Sequence, residues 1–487
     1  MPYINSHIWT ALEVQKLKNK KPAVIRAITF IQFIKGGIGC NVIVAGRIIM
    51  KYTERDVLQF IEENDVRFIK LVFSDVFGNQ KNISINSCEL RRAFADGISF
   101  DASHIEGFMN FNRSDLLLFP DPDTLTLLPW RPQHGGVARL YCDIKNIDGS
   151  EFGGDGRAIL RNAVEKAKEL GYTFKFGTSC EFYLFKCDDD GNPTKIPNDN
   201  AGYLDASPID KGENVRREIC LTLEQMDIIP ESSRHEGGPG QNEVYFKYSD
   251  PLNAADNLQT FQSVVKNMAY KNGLYASFMP KPLIDKNGSG LHFGISMSKD
   301  GKELFKNFSA EGNEMGSSAV AGILNRVADM TVFLNPTVNS FKRFGEYLAP
   351  KYITWSHQNH AQLILVPLDK DNSARVILRS PDCACNPYLA IALLIYACLD
   401  GVEHHEQLCE SVNINLSNAD VNELGGIKTL PCNLDEAVNL AKNSDFLYTY
   451  MPKEIVDFYL KSKKHQYENY NKSEDKEGFE RIYFLTL

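Results

Sequence analysis

The chain has 487 residues, 43% hydrophobic and 24% charged, which is enough for a large core and for two domains, one of them small. Its formal charge of −9 comes without a compensating basic stripe and excludes nucleic acid as the main partner, and no uninterrupted apolar stretch reaches the ~20 residues of a membrane span. Eleven cysteines form no CxxC pair and no regular framework, as expected of reduced thiols in a cytoplasmic protein.

Residues 1–49 are basic, with Glu13 their one acid, and the apolar run from Ala23 to Val44 is broken by Arg26 and Lys35. They are expected to be an extension outside the fold, with Met50 as the true beginning. From there Thr53 caps a helix running through Asp56 to Glu63. Val66 to Phe73 alternates, turns at Asp75 to Gly78 and returns through Asn82 to Ile85 as a hairpin. The Gly- and Asp-rich stretch Asn146 to Gly156 sets a domain boundary near residue 150. A helix over Arg157 to Leu170, closed by Gly171, leads into a strand from Thr178 to Lys186 whose one face carries Ser179, Glu181, Tyr183 and Phe185. A polar turn follows at Cys187 to Asn192, then a helix near Glu213 to Met226.

The stretch Ser233 to Phe246, SRHEGGPGQNEVYF, sets Glu236 and Glu243 on either side of a turn that Gly237, Gly238 and Gly240 allow to bend. Two such carboxylates can converge on a hard cation; taken alone, the loop fits a solvated turn with two surface acids equally well. Beyond a helix from Ala255 to Asn272 closed by Gly273, Leu291 to Met297 carries His292, Gly294 and Ser296 on one face, just after Asn287 to Gly290. Ser373 to Pro381 carries Arg375, Ile377 and Arg379 on one face, and Cys383 and Cys385 beside the next helix start are packing residues. Helices are expected over Leu434 to Ser444 and Pro452 to Tyr467, and the charged run NKSEDKEG as a solvated loop. The order of elements is that of an α+β protein. Four strands together present three acids, one imidazole and two guanidiniums to one space, and a carboxylate in an apolar strand must be paired or bound.

The segments FSDVFGN, SFDASHIEGF, HEGGPGQNE, NGSGLH, NSFKR and RSPD followed by NPYLAIALL occur in the order of, and resemble, the glutamine synthetase family, type I, from about Met50 to the C-terminus. The resemblance implies a β-grasp domain over 50–149 and a catalytic-type domain over 150–487 built on a curved antiparallel sheet flanked by helices. It implies a homododecamer of two stacked hexameric rings, in which the Asp101 segment reaches a neighbouring active site. The family's reaction makes γ-glutamyl phosphate from glutamate and ATP and lets ammonia displace phosphate, with two Mg2+ or Mn2+ ions.

By the same resemblance Glu181, Glu236 and Glu243 match the ligands of the first ion. Arg343 and Arg379 match the clamp on the substrate carboxylates, Arg343 also standing among the catalytic residues. Asn287 and Gly288 match the turn receiving the amino group, Asp101 the acid that takes a proton from ammonium, and Arg375 with Ser296 positions near the nucleotide. The second ion's site departs from the pattern: His292 is kept, but Ser179 and Ile377 replace its two glutamates. Gly294 replaces a histidine near the γ-phosphate, His360 and Leu365 replace two phosphate-binding arginines, and Leu348 replaces the flap glutamate, with Glu346 the nearest substitute. The expectation is a homologue with a one-ion pocket for a glutamate-like amino acid and impaired ATP-dependent turnover. Two alternatives stay open: an active ligase on ammonia or an amine, with Glu346, His357 or His360 rearranged into service, and a structural ring subunit that binds no ligand.

Overall fold

The computed structural model describes residues 27–35, 41–49, 51–108, 115–131, 134–306, 308, 313–367, 374–414, 416 and 426–487. Two compact units emerge, one of Met1–Phe73, Asn82–Phe100 and Leu116–Ile147, the other of Ser74–Lys81, Asp101–Asp115 and Asp148–Leu487. The larger unit thus takes in the tip of the first hairpin and the segment that begins at Asp101.

In the first unit, β1 (Ala27–Lys35) and β2 (Asn41–Ile49) pair antiparallel as a separate ribbon within the expected extension; Met50, the expected start, lies outside the described residues. Helix α1 (Glu54–Glu63) begins with a full capping box. The Thr53 hydroxyl accepts from the Asp56 N–H at 3.3 Å, and the Asp56 carboxylate accepts from the Thr53 N–H at 2.8 Å, so two otherwise orphaned donors are satisfied. Strands β3 (Val66–Ser74), β4 (Gln80–Asn86), β5 (Ile98–Asp101), β6 (Asp115–Pro120), β7 (Thr126–Leu127) and β8 (Gly136–Asn146) form a β-grasp sheet. Its order is β4-β3-β8-β6-β5, with β7 on β8 and β3 parallel to β8.

The second unit is organised on β9 (Tyr172–Cys187), a strand of 16 residues that follows α2 (Gly156–Glu169) and the left-handed Gly171. Strands β10 (Pro193–Pro197) and β13 (Leu274–Ser277) pair with β9, and β15 (Lys302–Glu303) with β14 (Leu291–Lys299). The remaining order is β11 (Pro230–His235), β12 (Gln241–Phe246), β9, β14, β18 (Val376–Leu378), β17 (Ile364–Leu365) and β16 (Trp355–Ser356). This curled sheet is antiparallel except for the short β16/β17 pair.

Three expectations are corrected. The strand placed over Ser373 to Pro381 is only Val376–Leu378, and Ser373 lies outside the described residues. The helix expected from Ala255 begins at Pro251, because Asp250 caps the Asn253 N–H and proline suits the first helical position. The NKSEDKEG loop is helical at both ends, with one helix running to Lys472 and the next starting at Lys476 under the Asp475 cap. The core holds two helices buried on nearly every side, Glu314–Leu334 and Pro387–Glu403. A Cβ on Gly322 would lie 2.1 Å from the Ala397 carbonyl and one on Gly401 2.2 Å from that of Ser318, so their close crossing needs both glycines. Cys383 and Cys385 are buried, and all described cysteines are free thiols. Among the described residues, no helix is long and apolar enough to cross a membrane.

Candidate active site

Strand register builds the site in rows. Arg234 on β11 stands opposite Glu243 on β12, which stands opposite Glu181 on β9. The next row on the same face is Tyr245, Ser179 and His292, across β12, β9 and β14. The one after runs Gly177, Gly294, Ile377 and Leu365, across β9, β14, β18 and β17. Period-two alternation therefore aims all three rows into one space.

In the first row Glu181 is held by the Gly290 N–H at 2.8 Å and the Gln241 amide at 3.1 Å. Glu243 is 2% exposed; Arg234 Nε donates to its Oε2 at 2.9 Å, while its Oε1 is buried with no partner among the described residues. Glu236 lies at the end of β11, where Arg234 Nε is 3.4 Å from Oε1 and its own Gly237 N–H 3.3 Å from Oε2. Burial and then the charge of Glu243 push the Glu181 carboxyl up to about 7. Burial, then the charges of Glu181 and Glu243, push Glu236 up to about 9. Carboxyls this reluctant to ionise mark a place short of positive charge.

The turn between Glu236 and Glu243 is braced from below. His235 bonds the Glu236 carbonyl at 2.7 Å through Nδ1 and Asp199 at 3.0 Å through Nε2, and Asp199 also accepts the Gly240 N–H at 2.8 Å. Asp210 pairs with Arg216, so the buried Asp199, Asp210 and His235 form a satisfied network that sets the turn's shape.

In the second row, His292 Nδ1 lies 3.1 Å from the Ser179 hydroxyl and 3.8 Å from Glu243 Oε1. Burial, then the Arg379 and Arg343 charges, hold the imidazole well below its ordinary pKa, so it is neutral. Ligand atoms of Glu181, Glu243 and His292 all lie within 4.8 Å of one another, a group that does not include Glu236. The orphaned Glu243 oxygen, the destabilised carboxylates and the neutral imidazole suit a divalent cation.

Two arginines overlook the acids. Arg343 ends the short helix Ser340–Arg343, which Asn339 fastens by accepting from the Lys281 N–H at 2.7 Å and donating to Glu480 at 2.9 Å. Its Nη1 donates to the Ser380 and Pro381 carbonyls at 3.1 and 3.2 Å, while Nε is buried without a partner among the described residues. Arg379 Nη1 is likewise buried without one, and burial pulls its guanidinium pKa down. A Cβ on Gly288 would lie 2.5 Å from Arg343 Cγ and 2.7 Å from the Pro280 carbonyl, so only glycine fits the turn against the arginine. Tyr183 anchors that turn by donating to the Asn287 carbonyl at 2.6 Å.

The third row is apolar. A Cβ on Gly294 would meet the Tyr248 hydroxyl at 1.9 Å, and one on Gly177 its ring at 2.5 Å, so Tyr248 fills the groove between the two glycines. Ile377 and Leu365 continue the row, with Leu365 buried.

The remaining sequence candidates stand outside these three rows. Asp101 is half exposed, and its carboxylate caps the Ser103 N–H at 2.8 Å, 3.9 Å from His104. Glu346 is bound by Lys281 at 2.6 Å. Ser296 shares the face of His292 but donates to Glu303 at 2.9 Å, and Arg375 is half-buried just before β18. Sequence reasoning missed Arg234, Tyr245 and Tyr248. Their roles come from cross-strand neighbours, and the one clue was alternation placing Arg234 in phase with Glu236.

Comparison with known proteins agrees with this architecture. Residues 65–147 match the family model "Glutamine synthetase, beta-Grasp domain" and residues 153–482 match "Glutamine synthetase, catalytic domain". The chain is 43% identical over 428 residues to the glutamine synthetase of Clostridium saccharobutylicum, covering 86% of this chain and 96% of that one. It is 41% identical over 424 residues to that of Methanosarcina mazei, covering 86% and 95%. Among solved structures, a GmaS/ADP complex superimposes with TM-score 0.78 at 27% identity, covering 85% of this chain and 96% of its own. Glutamine synthetase from Plasmodium falciparum, with TM-score 0.77 at 24% identity and coverage of 87% and 98%, shares the fold.

Proposed function

Since the chain belongs to the glutamine synthetase family, we propose that it binds a glutamate-like amino acid together with one Mg2+ or Mn2+ ion and that its ATP-dependent ligase turnover is impaired. The observation that carries the proposal is a set of buried polar atoms left unsatisfied on and next to the curled sheet. Arg343 Nε and Arg379 Nη1 are buried donors, and Glu243 Oε1 a buried acceptor, with no partner among the described residues. A buried donor left unmade costs ~1–3 kcal/mol, so such groups persist where a ligand completes them. Planar guanidiniums suit a carboxylate, and an ion, when bound, supplies the positive charge the three acids lack.

One row further along, the surface facing a triphosphate would be Gly294, Ile377 and Leu365, with Tyr248 in the groove. Removing one phosphate-stabilising arginine costs ~10³–10⁵ in rate, and here the positions that match two of them are His360 and Leu365. Glu346, the nearest stand-in for the flap acid, is tied to Lys281. In this proposal the protein assembles as a ring of identical subunits, a homododecamer by family resemblance, and the exposed Tyr203, Leu204 and Ile209 are side chains that self-association would cover.

A second reading, an active ligase, is favoured by the relatives 40–43% identical that are named glutamine synthetase and by the ADP bound in the GmaS neighbour. Phosphate release from MgATP, measured over a panel of amino acids and amines, separates the two. Release at or near the untreated background supports the proposal, and release that requires both glutamate and an amine establishes the ligase.

A further inference from the structure

We infer that Cys180 and Cys383 form an oxidisable dithiol, a site where hydrogen peroxide converts two buried thiols into one disulfide behind the inward face of the curled sheet. The inference stands apart from the proposed amino-acid pocket and uses none of its side chains.

The fold brings the two sulfurs together from 203 residues apart. Alternation along β9 turns Glu181 inward and Cys180 to the opposite face, the one on which Phe182 meets Phe261 of the helix Pro251–Lys271. Cys180 stands opposite Leu291 on β14, and the Leu291 N–H donates to the Pro381 carbonyl at 2.9 Å, which delivers Cys383 two residues further on. The sulfurs then lie 3.0 Å apart, so closing to the ~2.0 Å of an S–S bond takes a shift of about 1 Å. Cys383 is held in place: its thiol points at the Glu181 and Gly290 carbonyls at 3.6 and 3.7 Å, and its own carbonyl accepts from the Gln262 amide at 3.0 Å.

A cavity of about 270 Å3 supplies the way in. Gln259, Gln262, Lys266, Cys383, Cys385 and Leu487 are among the residues that line it. Cys383 is 3% exposed and Cys180 0%, so Cys383 is the sulfur an entering solute meets and Cys180 the one that waits behind it. The cavity is polar and has room for several waters, and hence for a peroxide.

In the first step the Cys383 sulfur attacks one peroxide oxygen and the O–O bond breaks. The leaving hydroxide takes the thiol proton as water, and Cys383 becomes a sulfenic acid. In the second step the Cys180 sulfur attacks the Cys383 sulfur, the S–S bond forms and the S–O bond breaks. That hydroxide leaves with the Cys180 proton as a second water. Two thiols thus lose two electrons and two protons, and one peroxide becomes two waters. The bond ties to β9 the segment whose Ser380 and Pro381 carbonyls hold Arg343 Nη1 at 3.1 and 3.2 Å.

The test starts from full-length protein reduced with dithiothreitol, desalted and exposed to hydrogen peroxide. Catalase stops the reaction, the chain is unfolded in N-ethylmaleimide to block remaining thiols, and tryptic peptides are mapped by mass spectrometry without reduction. The expected result is a loss of two of the eleven thiols per chain, with the Cys180 peptide joined to the Cys383 peptide and released again by dithiothreitol. Cys383→Ser should abolish the link, and Cys180→Ser should leave Cys383 as a sulfenic acid that dimedone labels. The wild-type map decides the matter even if a variant folds poorly. Recovery of Cys180 and Cys383 as maleimide adducts while the exposed Cys88, Cys409 and Cys432 are oxidised overturns the inference. A link that survives in Cys383→Ser overturns it as well, because the partner of Cys180 is then another thiol.

Discussion

Two neighbouring stretches of one sheet differ in almost every physical respect. The rows through Glu243, Glu181 and His292 gather acids, an imidazole and arginines, and they leave buried polar atoms without partners among the described residues. The row through Gly177, Gly294, Ile377 and Leu365 holds no charge and is filled by its own neighbour, Tyr248. Strands β9 and β14 carry part of both, so the backbone of those two strands cannot account for the contrast. Unmade hydrogen bonds are costly and are kept where a ligand repays them, whereas a packed apolar groove is complete as it stands.

The largest expected effect falls on the charged rows. Replacing Arg379 with Ala removes a desolvated cation aimed at a carboxylate and should cost about 2–5 kcal/mol of amino-acid affinity, measured by titration calorimetry with glutamate and Mn2+. Unchanged affinity would mean that the substrate clamp lies elsewhere.

The apolar row is broken by adding one carbon. Gly294→Ala forces its Cβ onto the Tyr248 hydroxyl and should destabilise the fold by about 1–3 kcal/mol in urea unfolding. Tyr248→Ser in the same chain should relieve most of that cost, giving a coupling energy in the double-mutant cycle. Simple additivity would show that Tyr248 does not fill the groove.

A pH series sharpens the contrast. In metal-free protein Glu236 keeps its proton up to about pH 9, while in the unfolded chain it loses it near 4.5. The folded state therefore binds more protons across that window, and stability falls as pH rises from about 4.5 to about 9. Glu181, raised from 4.5 to about 7, adds to the lower part of the slope. Melting temperatures recorded in EDTA should decline over this range, and Glu236→Gln should flatten the upper part; a level profile in the wild type would refute this electrostatic account.

The smallest effect is expected at Glu346. Its pair with Lys281 involves a half-exposed carboxylate, so Glu346→Gln should cost no more than about 1 kcal/mol and leave any residual phosphate release unchanged. A large drop in that release would instead assign Glu346 to the chemistry.

Much of this was legible in the residues. Alternation in β9 and β14 put Glu181 and His292 on the inward faces, and caps such as Thr53 and closing glycines such as Gly171 located the helices to within a few residues. What escaped depends on register or on context. Arg234 acts on Glu243 only because β11 and β12 pair at that offset, and Tyr248 fills a groove whose other wall is β14. The helix Glu314–Leu334 is buried nearly all round, so it lacks the amphipathic stripe that announces a surface helix. The charged run at Asn471 to Gly478 resembles a loop in composition, yet the Asp475 cap starts a helix inside it.

The most direct test of the contrast is calorimetric titration of the full-length protein with glutamate plus Mn2+ and, separately, with MgATP. The account predicts saturable heat with glutamate and none with MgATP at millimolar concentration. Tight, saturable MgATP binding with no response to glutamate would contradict it.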